Sequence, residues 1–162
     1  MKRVNNRCVQ CGTQMKSSVE NYRYDESGLD GVTLEDITIH RCPNCGESEA
    51  TIPRTAQLLR ALAESTAKKK ARLTPKEIRF LRTFLGYSSA DFARKLGVSL
   101  PTVSRWERED APLGMKSTAE KLLRIMVLAD EAMRSYQLEE MASEEPASTP
   151  VRLHATRVGW AA

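Results

Sequence analysis

The chain has 162 residues, 25 Lys+Arg against 21 Asp+Glu, 41% hydrophobic and 6% aromatic residues, and four Cys. No run of about 18 apolar residues suits a membrane span, and the charged start Met1–Asn6 lacks the apolar stretch of a secretory signal. The expectation is therefore a cytoplasmic chain with no membrane partner, whose Cys serve as metal ligands or redox groups rather than disulfides.

The net charge of +4 is informative once divided. Residues 1–65 carry eight Lys/Arg and nine Asp/Glu, residues 66–110 eleven and five, and residues 111–162 six and seven. The basic excess of +6 sits in one 45-residue window, the pattern of a polyanion-binding module inside a near-neutral protein.

Taken in chain order, the first signal is Cys8-Val9-Gln10-Cys11-Gly12, repeated as Cys42-Pro43-Asn44-Cys45-Gly46. In a CxxC turn the two sulfurs converge and the following amides point back at them, which requires a positive φ that Gly adopts without strain. Between the pairs lie two β-favouring runs, Val19–Tyr24 and Val32–Ile39, around the turn-like Asp25–Gly31, so a β-hairpin is expected. That hairpin would bring Cys8, Cys11, Cys42 and Cys45 together as four thiolates around one tetrahedral ion. Zinc is favoured and the site is structural, since four Cys leave no open coordination position. A rubredoxin-like iron site is the runner-up, and a thioredoxin-like redox pair is disfavoured because no βαβ pattern is present. His40 reads as a strand residue rather than a fifth ligand.

Pro53 is expected early in a helix carrying Ala56, Leu59, Leu62 and Ala63 on one face through about Ser65. The charged stretch Ala67–Arg72 reads as a linker or as that helix's end, and its Lys68, Lys69, Lys70 and Arg72 as DNA-backbone contacts or solvated charges. Thr74, Pro75 and Glu77 then form a capping box opening a helix with Ile78, Leu81, Phe84 and Leu85 on one face, stopped by Gly86. Ser88 caps the next helix through Leu96, and Ser99 caps another through about Arg108. A last helix, roughly Ser117 to Leu138, places Leu122, Ile125, Met126, Ala129 and Met133 at helical spacing. From Met141 the chain is expected to be largely disordered. The division is 1–66 for a metal-binding domain with its connecting helix, 67–140 for a DNA-binding and dimerisation domain, and 141–162 for a tail. The fold class is α+β: a four-cysteine, zinc-ribbon-like domain with a β-hairpin, then an all-α helix-turn-helix domain.

The stretch Ser88–Arg108 carries that second assignment. Ala93 is small where two helices would cross, and Gly97, four residues on, can end the first helix in the left-handed conformation. Phe92, Leu96, Val98, Val103 and Trp106 fall inward, leaving the second helix free to enter a major groove. An ordinary helical hairpin would share the apolar spacing but not the small-residue positions within the basic window. Leu100, Pro101, Thr102 and Arg105 are the expected base-reading residues, Arg105 suited to a bidentate guanine contact. Ser88, Ser89, Arg94, Lys95, Ser104 and Arg108 are the expected phosphate ligands. Glu107 reads as a structural partner for a nearby basic residue or helix end rather than as a base reader. No clustered acid–base set, nucleophile elbow or phosphate-binding Gly loop is present, so the chain is not read as an enzyme.

The combination of CxxCG…CPNCGE, a connecting helix and LTPKEIRFLR…SSADFARKLGVSLPTVSRWER resembles the MqsA-type (YgiT-type zinc finger) antitoxins and regulators, over about residues 5–110. Its second half alone resembles the broad Xre/Cro-like class. The resemblance implies a zinc-bound N-terminal domain that binds an mRNA-cleaving, basic ribonuclease toxin. It also implies a homodimer, formed through the C-terminal domain, that represses its own operon at an inverted-repeat operator on double-stranded DNA. Antitoxin members can carry an Asn base reader one turn before the position of Arg105; here it is Pro101, which cannot make that adenine contact. A regulator without a toxin is the alternative.

Overall fold

The computed structural model describes residues 6–110, 114–129, 154–156 and 159–161. Strands β1 (Lys16–Arg23), β2 (Thr33–Arg41) and β3 (Ser48–Thr51) form an antiparallel sheet in that order. Helices α1 (Thr55–Lys68), α2 (Pro75–Phe84), α3 (Ser89–Lys95), α4 (Leu100–Trp106) and α5 (Ser117–Leu128) follow. The fold is therefore the expected α+β arrangement of a cysteine-bearing sheet followed by helices.

The expected hairpin is β1–β2, with a 3-10 turn at Asp25–Ser27 inside its connection. Glu20 pairs with Ile37 and Tyr22 with Leu34, so Asn21 opposes both Glu35 and Asp36. Asp36 absorbs this bulge at φ 55°, and short polar side chains tolerate that region best. The third strand was not anticipated: Ser48–Thr51 has no alternation to announce it, and its place is set by pairing with Thr38–Arg41 after the second cysteine turn.

The helix expected from Pro53 to Ser65 begins two residues later and ends three later, at Lys68. Pro53 lies outside it, because Arg54 turns through φ 50° to redirect the chain from β3 into α1. Lys68 is thus the end of α1. Of the cations that follow it, Lys69 pairs with Glu77 and Arg72 with Glu120, while Lys70 is exposed.

The capping box of α2 is complete. Glu77 N donates to Thr74 Oγ1 at 3.3 Å, and Thr74 N donates to Glu77 Oε2 at 2.7 Å. Ser88 Oγ caps α3 by accepting from Asp91 N at 3.1 Å. Ser99 precedes α4 but does not cap it through its side chain; its hydroxyl lies 2.8 Å from that of Thr102 instead. α4 also ends at Trp106, two residues short of the expected Arg108.

One core joins Ala63 and Ala67 of α1, Ile78, Phe80 and Leu81 of α2, Phe92 and Ala93 of α3, Val103 and Trp106 of α4, and Leu123 and Val127 of α5. Leu29, from the β1–β2 connection, belongs to the same cluster. The inward face of α5 differs from the expected stripe. Leu123, Met126 and Val127 are buried, whereas Leu122, Ile125 and Leu128 are exposed. Glu120 lies on the same inward face, held there by Arg72 and Arg124, and Leu123, three residues on, shares that face. Met133 and the expected extension of this helix to Leu138 lie outside the described residues, as does most of the tail. Within the tail, however, His154–Thr156 (β4) and Gly159–Ala161 (β5) pair antiparallel. The two strands are two residues apart in sequence, a spacing suited to a tight hairpin.

Candidate metal centre and nucleic-acid interface

Each CxxC turn is closed in the same way. Gly12 N donates to Cys8 O at 2.8 Å and Gly46 N to Cys42 O at 3.1 Å, with both glycines at left-handed φ (72° and 78°). Cys8 N then donates to Thr13 O and Cys42 N to Glu47 O, at 2.9 and 2.8 Å. β1 and β2 carry these two turns to one end of the sheet. The Sγ atoms of all four Cys lie within 4.8 Å of one another. Cys8–Cys45, Cys11–Cys42 and Cys11–Cys45 are 3.5, 3.4 and 3.6 Å apart.

Four thiolates bound at about 2.3 Å in a tetrahedron sit about 3.8 Å from each other, so the donor set fits one ion of zinc size with little adjustment. Cys8 and Cys42 are buried while Cys11 and Cys45 are exposed. Crowding moves two of the thiols in opposite directions. The Thr13 hydroxyl, then its amide, Asn44 and Cys42, pull Cys11 down to about 6. At Cys45 the Glu47 amide acts in the same direction, but the sulfurs of Cys8, Cys42 and Cys11 outweigh it and push the thiol up to about 12. Sulfurs this close resist sharing several negative charges, and a cation among them removes that conflict. His40 is not part of the cluster. Its Nδ1 lies 2.7 Å from Ser17 Oγ and its Nε2 3.0 Å from Thr51 Oγ1, bridging the three strands.

At the other end of the molecule, α3 and α4 pack through Phe92, Ala93 and Val103, all fully or almost fully buried, with Gly97 at φ 61° between them. The outer face of α4 exposes Leu100, Pro101, Ser104 and Arg105, and leaves Thr102 half-buried. Arg105 lies along this face, its Nη2 donating to Thr102 Oγ1 at 3.3 Å and its Nε to Pro101 O at 3.4 Å. Beside it a cleft of about 420 Å3 separates Thr102 and Arg105 from Gly114 and Lys116. Lys116, which leads into α5, carried no sequence signal that would have singled it out.

On α3, Ser88 Oγ is occupied by Asp91, donating to Oδ2 at 2.5 Å, and Ser89 is half-buried. That contact with Ser88, reinforced by the nearby Arg94, holds the Asp91 carboxyl below its ordinary range. Arg94 pairs with Asp91 at 3.2 Å and Arg108 with Asp110 at 2.5 Å, both at the surface, while Lys95 is half-buried.

Beneath α4 sits the ion pair that the sequence had hinted at through Glu107. Arg82 Nε and Nη2 donate to Glu107 Oε1 and Oε2 at 2.6 and 3.0 Å, with both side chains about nine-tenths buried. Arg82 Nη1 also donates to Tyr87 O at 2.6 Å, and Arg79 Nη2 donates to the Glu107 carbonyl at 3.0 Å. These bonds tie the end of α4 to α2 and so fix the angle at which the α4 face is presented.

Residues 78–124 match the helix-turn-helix family. The match runs from within α2 through the helix-turn-helix of α3 and α4 and into α5, and leaves out the cysteine-bearing sheet and α1, which packs into the same core. No curated protein matches the chain. The helix-turn-helix supports a DNA-binding regulator, and the four Cys supply a set able to hold a metal ion. No helix among the described residues is long and apolar enough to cross a membrane.

Proposed function

We propose that this protein is a zinc-containing, dimeric, sequence-specific transcriptional repressor that regulates its own operon. The observation that carries this reading is the helix-turn-helix match across α2–α5, with Arg105 on the exposed face of its second helix. In this reading Arg105 and Thr102 read base edges, while Leu100 and Pro101 contribute apolar contact. Ser104, Ser89, Arg94, Lys95 and Arg108 meet phosphates, and Ser88 does so where a phosphate displaces the Asp91 carboxylate from its hydroxyl. The metal-binding part spans residues 1–66 and the DNA-binding part 67–140.

Zinc is favoured by four thiolate donors with no fifth group in the cluster among the described residues. The exposed stripe Leu122, Ile125 and Leu128 on α5 supports pairing with a second copy, whose twofold symmetry would match half-sites about 34 Å apart. The antitoxin role rests on the sequence resemblance and on charge. Ligation by four thiolates leaves the N-terminal part more negative by about two units, a surface suited to a basic ribonuclease. The test is a fluorescence-anisotropy titration of the purified protein with the DNA upstream of its own gene. Autoregulation requires binding there well above that to random duplex. Co-expression with the neighbouring gene tests the toxin partner by co-purification.

A further inference from the structure

The β1–β2 hairpin runs from the cysteine turns to the helical core. At its open end, β1 begins four residues after Gly12 and β2 ends at Arg41, adjacent to Cys42, so an ion held by the four Cys would clamp the two strands together. Eight strand residues carry its closed end about 25 Å away. There Tyr24 N donates to Val32 O at 2.9 Å, and Ser27 Oγ accepts from Leu29 N at 3.2 Å, shaping a tip that pushes Leu29 outward.

Leu29 is 7% exposed and joins the helical core that holds Ile78 and Phe80 of α2. Next to it, Lys76 of α2 donates to Asp30 Oδ1 at 2.7 Å and lies 3.7 Å from Glu109, just beyond α4. α2 is therefore held both by the hairpin tip and by the Arg79–Arg82–Glu107 contacts to the end of α4.

We propose that the hairpin tip is a docked wedge through which the four-cysteine site holds the DNA-presenting helices in place. This rests on the DNA-binding reading above, and adds that affinity for DNA and affinity for metal are linked. With its open end clamped, the hairpin presents Leu29 and Asp30 in the docked geometry. With the cysteine turns released, the strands lose that constraint and α2 loses a core residue and an ion pair. Linkage then requires DNA to tighten metal binding by the same factor by which metal tightens DNA binding.

The test uses the full-length, metal-loaded protein and hydrogen exchange at the amides of α2 and α4, which reports on the helices without DNA. Chelation should speed exchange there about tenfold and weaken binding to the upstream DNA by a similar factor, within the usual range of coupled sites. Leu29→Ala, checked by native mass spectrometry to retain its metal, should loosen α2 to the same extent, and chelation should then add little. Leu29→Met should behave as wild type.

Helices whose exchange ignores both chelation and Leu29→Ala would overturn the wedge. Should Leu29→Ala fail to fold, chelation of the wild type still decides, because protected helices beside a released sheet refute the coupling. Exchange that responds while the metal-loaded protein binds no DNA would leave the wedge standing and remove the DNA-binding reading instead.

Discussion

Replacing Glu107 by Ala isolates the buried ion pair that joins α2 to the end of α4. The substitution removes both acceptors of Arg82, at 2.6 and 3.0 Å, and leaves a guanidinium that is about nine-tenths buried with the Tyr87 carbonyl as its remaining partner. Breaking a buried pair from one side typically costs about 3–5 kcal/mol, because the abandoned charge stays desolvated. That is a large part of a stability of about 5–15 kcal/mol. With a urea m-value near 1.5 kcal/mol/M, the midpoint should fall by about 2–3 M in equilibrium unfolding followed by circular dichroism. The decisive comparison is the double replacement Arg82→Met with Glu107→Leu. It removes both charges and fills their volume, so it should cost less than Glu107→Ala alone. A single variant that loses under about 1 kcal/mol, or a double variant worse than the single, would refute the account.

Other substitutions test the remaining parts. Arg105→Ala should weaken the operator complex by about 1–3 kcal/mol and relax one base position, which a binding assay over single-base operator variants would show. Cys8→Ser should reduce the metal content, measured by native mass spectrometry, from one ion per chain to none, and the thermal transition of the sheet should drop with it. Ile125→Glu, at a position 54% exposed, should leave the fold intact but shift the sedimentation mass from dimer to monomer. Stability should also depend on pH through Glu120. Burial raises its pKa, but hydrogen bonds from Arg124, Arg72 and the Leu73 amide outweigh that and hold it below its ordinary 4.5. A depressed folded pKa means the contribution is fully present above about 4.5 and is lost as pH falls through the lower folded value. Glu120→Gln should flatten that acid limb of the stability profile.

The parts of the fold that were legible in the sequence are those written in local chemistry. Thr74 and Glu77 announce their capping box within four residues, Gly97 marks the turn between α3 and α4, and two CxxCG turns state the ligand set. What was hidden depends on partners far apart in the chain. Leu29 reads as a residue in a polar turn, yet its place is the helical core 34 residues from Ala63 and further still from Phe80. Arg72 reads as one more cation in a basic stretch, but its Nε donates to Glu120 Oε2 at 2.5 Å, 48 residues away. Arg124 similarly closes the end of α1, donating to Ala67 O, Lys69 O and Ala71 O at 2.7–2.8 Å. The stripe on α5 misled for the same reason: with Leu122, Leu123, Ile125, Met126 and Val127 all apolar, periodicity alone cannot choose the inner face. The buried carboxylate of Glu120 marks it.

The same long-range pairing changes what the basic window implies about DNA. Residues 66–110 hold a net +6 by sequence, but among the described residues at least three of their cations take carboxylates from outside the window. Lys68 pairs with Glu64 at 3.0 Å, Lys76 with Asp30 at 2.7 Å and Arg72 with Glu120 at 2.5 Å. The excess that remains in space is at most about +3 per protomer. A phosphate that draws a cation off a carboxylate leaves that carboxylate to recruit a counterion of its own, so net ion release follows the spatial excess rather than the sequence count. At about 0.9 ions per neutralised phosphate, the slope of log K against log salt should be no steeper than about −3 per protomer, rather than the value beyond −5 that the +6 window suggests. Anisotropy titrations of the upstream DNA from 50 to 300 mM KCl measure it directly. A slope of −5 or steeper per protomer would mean that these ion pairs break on binding, and that the window acts with its whole sequence charge.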